Sequence, residues 1–382
     1  MCLLAVEPNY IMIGGFLGAG KSTSVLRLAD YLAARGRRVG LITNDQGIGL
    51  VDTSLVRWRG FAVEEISGGC FCCRFDSLVE AAESLAREAR PDVFIAEPVG
   101  SCTDLVSSVT YPLRQLYGDT FRVAPLSVLV DPIRAGQILG IDGDGRFSRN
   151  VAYIYLKQLE EAHAIVINKR DLLAPDELVR LTGAISSRFP RARIFTVSAR
   201  SGDGLDEWFG WISTSEQPGG EAMELDYELY AQGEALLGWL NCIVDVSAQR
   251  AFDGQQVMRY IAAEIHGELV SAGFEVAHLK MAFSRNGDGA EIAVLNLVRN
   301  DFKPEIMTSN LEPLTAGRLT INIRAEAPPE WLEQVTLEAI EKRRRTYESL
   351  NMNVQHLERF RPAKPQPTHR IESFDPRSEL VQ

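Results

Sequence analysis

Long apolar runs are missing from this 382-residue sequence. No stretch approaches the roughly 20 apolar residues that span a bilayer. Its apolar runs are of strand length, and charges punctuate the segments between them, so no membrane partner is expected. The first nine residues hold Glu7 and Pro8 and no positive leader, which argues against a secretory signal. Cysteine is sparse, and three of the six cysteines fall within four residues. That spacing does not build a disulfide framework; it suits metal or redox chemistry in a reducing cytoplasm. Positive charge is not in excess either: 40 Lys and Arg face 51 Asp and Glu, for a formal net charge of -11. A dedicated nucleic-acid surface is therefore not expected. The basic run Arg343-Arg344-Arg345 falls near the end of an expected helix and reads as a solvated face. Low-complexity runs and internal repeats are absent, and the length suits two domains.

From residue 10 to about 214, short β-branched runs alternate with helical stretches. Candidate strands are Tyr10–Ile13, Val39–Thr43, Ala62–Ile66, Val93–Ala96, Leu126–Val130, Ala164–Asn168 and Ile194–Ser198. Most are continuously apolar, as strands buried on both faces are. Helical patterns such as Ser22–Ala34 and Asp76–Arg90 lie between them. The alternation predicts an α/β, doubly wound, mostly parallel sheet over residues 1–214. Residues 215–229, rich in Gly, Glu and Pro, read as a linker. Beyond it, residues 230–350 read as a smaller α+β domain. Its strands are expected near Leu236–Val246, Val276–Ser284, Glu291–Val298 and Arg318–Arg324, with helices near Gly254–Ala272 and from Pro328 to about Leu350. Residues 351–382, with Pro362, Pro365 and Pro367, read as an extended tail.

The first strand runs into Gly15-Phe16-Leu17-Gly18-Ala19-Gly20-Lys21-Ser22-Thr23 and then a helix, matching GxxxxGK[ST] in its confirming context. Glycines let backbone N–H groups converge on phosphate, and the helix N-terminus adds its dipole. Lys21 would bridge β- and γ-phosphates, and the Ser22 hydroxyl would ligate Mg²⁺. After a later strand comes Asn168-Lys169-Arg170-Asp171, an NKxD box. The Asp171 carboxylate can accept from both N1–H and N2–H₂ of guanine, whereas adenine offers neither donor there. Lys169 would lie along the base and Asn168 would brace the loop, while Ser198 and Ala199 resemble the segment that offers backbone N–H to guanine O6. Together they specify GTP.

Ligands of such sheets sit at the carboxyl ends of the strands. Asn44-Asp45-Gln46-Gly47 should open there, and so should Glu97-Pro98-Val99-Gly100. Glu97 takes the place of the acid that meets Mg²⁺ or its water, and Gly100 can donate to a γ-phosphate; a plain surface acid is the bland alternative for Glu97. Gly68-Gly69-Cys70-Phe71-Cys72-Cys73 opens on the same edge. Thiols just ahead of a helix should have lowered pKa values and, clustered, suit Zn²⁺ or another borderline-to-soft ion. A Cys70/Cys73 redox pair and simple core packing are the competing readings. Cys102, two residues past Gly100, is a fourth-ligand candidate or a half-buried small residue. Asp142-Gly143-Asp144-Gly145 is no calcium loop, because position 153 is Tyr where a glutamate is needed.

GGFLGAGKST, the GGCFCC segment, the Glu97–Gly100 ExxG and the NKRD together resemble the CobW-like branch of the CobW/HypB/UreG GTPases. The resemblance covers residues 10 to about 205. It implies a slow GTPase with GTP and Mg²⁺ at the phosphate loop, using Lys21, Glu97 and Asp45. It further implies a transition metal (Zn²⁺, Co²⁺ or Ni²⁺) at Cys70, Cys72 and Cys73, passed to a client metalloprotein or corrinoid-dependent enzyme. Two departures stand out: relatives usually carry a glutamate in an Asn-Glu-Phe-Gly loop where this chain has Asp45 and Gln46, and their histidine-rich loop is absent. A metal-sensing switch with negligible turnover is the alternative reading, a P-loop ATPase or kinase a weaker third. Assembly as a homodimer stays open.

Overall fold

The structure, a computed structural model, describes residues 8–44, 51, 59–118, 120–141, 143, 147–285, 291–347 and 349–375. It divides into two units: Met1–Gln46, Ala62–Gly233 and Lys364–Gln382 form one, Gly47–Phe61 and Glu234–Ala363 the other.

The first unit is a parallel α/β sheet. Its strands are β1 Asn9–Gly15, β2 Val39–Asn44, β3 Ala62–Ile66, β4 Val93–Glu97, β5 Arg122–Val123, β6 Ser127–Val130, β7 Ala164–Ile167 and β8 Arg193–Thr196. The main path is β3-β2-β4-β1-β6-β7-β8, with β5 also beside β1. Every residue of β1, β2, β4, β6 and β7 is buried, as their unbroken apolar character requires. The helices are α1 Lys21–Ala33, α2 Phe75–Glu88, α3 Tyr111–Tyr117, α4 Pro132–Ile138, α5 Arg149–Glu161, α6 Pro175–Arg188, α7 Leu205–Thr214 and α8 Tyr227–Leu236, which runs into the second unit. A π-turn, Val106–Thr110, leads into α3. The strand order reverses on either side of β1, so the crevice for a ligand lies beyond its carboxyl end. There the phosphate loop begins.

The second unit is an antiparallel sheet of β10 Gly238–Phe252, β11 Val276–Ser284, β12 Ile292–Leu297, β13 Glu305–Ser309, β14 Leu314–Ala325 and β15 Leu350–Phe360, ordered β13-β12-β11-β14-β10-β15. Helices α9 Gly254–Ala272 and α10 Pro329–Thr346 cover one face. Alternate residues such as Leu240, Cys242 and Val244 of β10 and Leu319, Ile321 and Ile323 of β14 join Ile261, Ile265 and Leu332 of the helices in one core. In α10, Arg344 and Arg345 both pair with Glu341. No described helix is long and apolar enough to cross a membrane.

Two segments depart from the sequence reading. Residues 351–360, expected to be tail, lie in β15 on the sheet edge beside β10. Only Leu350 and Met352 of β15 are buried, so this edge strand leaves little apolar alternation to read. Residues 364–375 then return to the first unit, where Ser373 and Phe374 (β16) pair with Glu221 and Gly220 (β9). The expected linker is also partly built in: Gln217 is buried, its amide donates to Thr110 Oγ1 at 2.7 Å, and its carbonyl accepts from Arg114 at 2.5 Å.

Candidate nucleotide and metal site

The phosphate loop needs glycine where it turns. Gly15 has φ 130°, and a Cβ there would stand 2.4 Å from the Leu129 carbonyl oxygen. At Gly20, φ 96°, a Cβ would stand 2.3 Å from Asn168 Nδ2. The loop therefore closes tightly, and Lys21 Nζ donates to the Gly15 carbonyl at 2.8 Å. Gly18 also has positive φ, and Thr23 sits half-buried in the first turn of α1. Ser22 Oγ donates to Glu97 Oε1 at 2.9 Å, so a hydroxyl and a buried carboxylate converge as an oxygen donor pair suited to a hard dication. Gly100 returns to the same point: a Cβ there would meet Lys21 Nζ at 2.9 Å and Leu17 Cδ2 at 2.7 Å. Asp45, with Gln46 and Gly47, lies outside the described residues, as do Asp142, Asp144 and Gly145.

The guanine box reaches this loop directly. Asn168 Nδ2 donates to the Ala19 carbonyl at 2.9 Å, and its Oδ1 accepts from the Ala199 amide at 2.9 Å. One side chain thus ties the phosphate loop to the segment holding buried Ser198 and Ala199. Lys169, in the left-handed region at φ 54°, donates to the Gly18 carbonyl at 2.7 Å and to Asp131 Oδ2 at 2.8 Å. Asp171 stands exposed and makes no hydrogen bond or ion pair among the described residues, leaving its acceptor oxygens open. Arg27 braces the far side, donating to the Ala199 and Arg200 carbonyls.

Sequence reasoning missed Asp131 and Arg134. Asp131 caps α4 by accepting from the Arg134 amide at 3.0 Å, and buried Arg134 donates from Nη1 to the Leu17 carbonyl at 2.6 Å. The signal was available: an aspartate at a strand end followed by Pro132 is a helix start.

The thiols gather as expected. A turn in which the Cys73 and Arg74 amides donate to the Cys70 carbonyl folds the motif back on itself. Cys70 Sγ lies 2.9 Å from Cys72 Sγ and 3.0 Å from Cys73 Sγ, and the latter two are 3.8 Å apart. A tetrahedral zinc with bonds of about 2.3 Å would separate its sulfurs by about 3.8 Å. The Cys72–Cys73 pair already has that spacing, and Cys70 would move outward by about 1 Å. Asn44, ending β2, donates to the Ile66 and Gly69 carbonyls and holds the thiol loop to the sheet edge. Buried Cys102 also contacts Cys70, and Gln158 Nε2 donates to both the Gly100 and Cys102 carbonyls, at 3.0 and 2.8 Å.

The expectation that all three thiols are acidified needs correction. Cys70 alone is held well below the usual thiol range, by hydrogen bonds from Cys102, then Cys72 and Cys73. Donating to Cys70 keeps the protons on its neighbours: Cys72 is pushed well up and Cys73 to about 11. Crowding the three sulfurs opposes further deprotonation once one of them is charged, since a second charge would repel the first. A dication would supply the missing charge and displace the remaining protons. Two histidines are engaged elsewhere: His163, driven down to about 4 by burial, accepts from the Leu126 amide, and His266 is bonded to the Asn300 carbonyl.

Residues 9–196 match the CobW/HypB/UreG nucleotide-binding domain. This nucleotide-binding domain is of that family, in its CobW-like branch. It is 29% identical over 211 residues to the zinc chaperone CobW of Sinorhizobium sp, covering 50% of this chain and 59% of that one. The zinc chaperone YeiR of Escherichia coli (strain K12) is 30% identical over 168 residues, covering 43% and 47%. The chain thus spans about half the length of these relatives. Among solved structures, the hydrogenase maturation factor HypB from Archaeoglobus fulgidus aligns at 20% identity and TM-score 0.39, over 54% of this chain and 89% of that one.

Proposed function

We propose that this protein is a GTP-hydrolysing metallochaperone whose cargo, a transition metal with zinc foremost, is held by Cys70, Cys72 and Cys73 and handed to a client metalloprotein. In this reading Gly15, Gly18, Ala19, Gly20 and Thr23 cradle the phosphates. Lys21 neutralises β- and γ-oxygens, Ser22 and Glu97 hold Mg²⁺ or its water, and Asn168, Lys169, Asp171, Ser198 and Ala199 select guanine. Bound Mg²⁺ would supply charge neutralisation at the phosphates.

One observation carries the link between nucleotide and metal. Glu97, Gly100 and Cys102 lie on one six-residue segment, and a single amide, Gln158, grips Gly100 and Cys102 together. A γ-phosphate contact that shifts Gly100 therefore shifts the thiol beside Cys70, so metal affinity and nucleotide state are reciprocally coupled. Zinc and cobalt stoichiometry of the Cys70→Ala/Cys72→Ala/Cys73→Ala variant tests the cargo site; undiminished binding would sink it. Steady-state GTP hydrolysis with and without metal tests the coupling. Strong stimulation supports the chaperone, and none supports the alternative of a metal-sensing switch.

A further inference from the structure

We propose that residues 364–375 are a cover over the thiol site, and that Arg370 latches it to the loop that follows Gly100. The inference rests on the thiols being the cargo site and adds what governs access to them. The segment lies along the motif itself. The Gln366 amide donates to Cys73 Sγ at 3.2 Å, the Thr368 amide to the Cys72 carbonyl at 2.8 Å, and Thr368 Oγ1 to the Cys73 carbonyl at 3.4 Å. The His369 ring meets Phe75 edge-on, 4.9 Å between centroids, just past the thiols. These contacts engage Cys73, the half-buried member of the cluster and the one through which an ion would pass.

Arg370 supplies the latch. Its Nε donates to Asp104 Oδ2 at 3.0 Å and its Nη2 to the Met223 carbonyl at 3.2 Å. Asp104 is 1% exposed, sits at φ 64°, and accepts from the Tyr227 hydroxyl at 2.6 Å. It lies two residues past Cys102, and its flanking residues are pinned by Glu161, which accepts from Thr103 Oγ1 and the Val106 amide. Farther on, the Ile371 amide donates to the Ser107 carbonyl, and Phe374 stacks on Tyr111 with Arg114 over its ring. The cover is thus fastened on the segment 100–107 and touches the thiols from it. A shift of Gly100 would move the floor and the lid of the metal site together.

The test reads both an alkylating agent and a metal. Labelling of the Cys70, Cys72 and Cys73 cluster by iodoacetamide is timed on the full chain with GDP and with a non-hydrolysable GTP analogue. Zinc release to an excess of a chromophoric chelator is timed alongside. Loss of a charge-assisted hydrogen bond predicts that Arg370→Ala speeds both about tenfold or more and erases their nucleotide dependence. Arg370→Lys should restore part of each effect. A chain ending at Ala363 should behave like Arg370→Ala, which guards against a local unfolding peculiar to the substitution. Unchanged labelling and release in both variants would overturn the proposal. Faster labelling in a protein that binds no zinc would uphold the cover and overturn the cargo reading instead.

Discussion

Replacing Gly100 by alanine isolates the γ-phosphate contact from the rest of the nucleotide site. The glycine lies outside the left-handed region, so the backbone itself accepts a side chain. The obstacle is space. A Cβ would stand 2.7 Å from Leu17 Cδ2, 2.9 Å from Leu17 Cγ and 2.9 Å from Lys21 Nζ. Leu17 is 4% exposed and cannot swing clear, and Lys21 is held by the Gly15 carbonyl, so the strand-end loop must back away. Overpacking of this kind costs about 1–3 kcal/mol. If the retreat is needed only where Gly100 closes on a γ-phosphate, GTP affinity falls by about 5- to 150-fold. GDP, which lacks that phosphate, should lose far less. Titration with fluorescent GDP and a non-hydrolysable GTP analogue measures the difference, with circular dichroism and the denaturant midpoint as the control on folding. Equal weakening of both nucleotides would falsify the placement of Gly100 at the γ-phosphate.

Asp171→Asn replaces one acceptor oxygen by a donor that faces guanine N–H groups. It should lower GTP affinity about 100-fold, read by the same titration, since two charge-assisted bonds are affected. Cys102→Ser should keep one ion per chain but alter the thiolate-to-Co²⁺ absorption bands; identical spectra would remove Cys102 from the site. Stability should also depend on pH through Glu161, which burial, and then the Asp104 charge, pushes from 4.5 to about 8. Between those values the folded chain keeps a proton the unfolded chain has released, so stability falls as pH rises and levels off above about 8. Buried His163, driven from 6.5 to about 4, acts oppositely, adding stability as pH rises across that interval. Between pH 6.5 and 8 the stability contributed by Glu161 should fall by about 2 kcal/mol, while the depressed Cys70 thiol acts in the opposite direction. Denaturant midpoints at the two pH values should show that fall as a difference between the parent chain and Glu161→Gln.

Some of this protein could be read along the chain. The phosphate loop, the guanine box and the thiol motif are each contiguous, so their chemistry is set by local spacing. Strands β1, β4, β6 and β7 are buried on both faces and therefore spell themselves out as apolar runs. Edge strand β15 does not, because only Leu350 and Met352 of it are buried. Arg134 and Gln158 were equally silent, since what each one grips lies far off in sequence: the Leu17 carbonyl, and the Gly100 and Cys102 carbonyls.

The sequence by itself determined that a P-loop, an NKxD box and three clustered thiols share a doubly wound sheet. Backbone propensity and residue spacing suffice for that. Tertiary structure alone decided how they are joined. It made the three sulfurs unequal in acidity, because the hydrogen bonds given to Cys70 hold the protons on Cys72 and Cys73. It placed Gly100 against Lys21 and Cys102 against Cys70. It also folded a segment more than 290 residues away in sequence onto Cys73. Closure over such separations depends on the packing of the whole unit, and no local pattern records it.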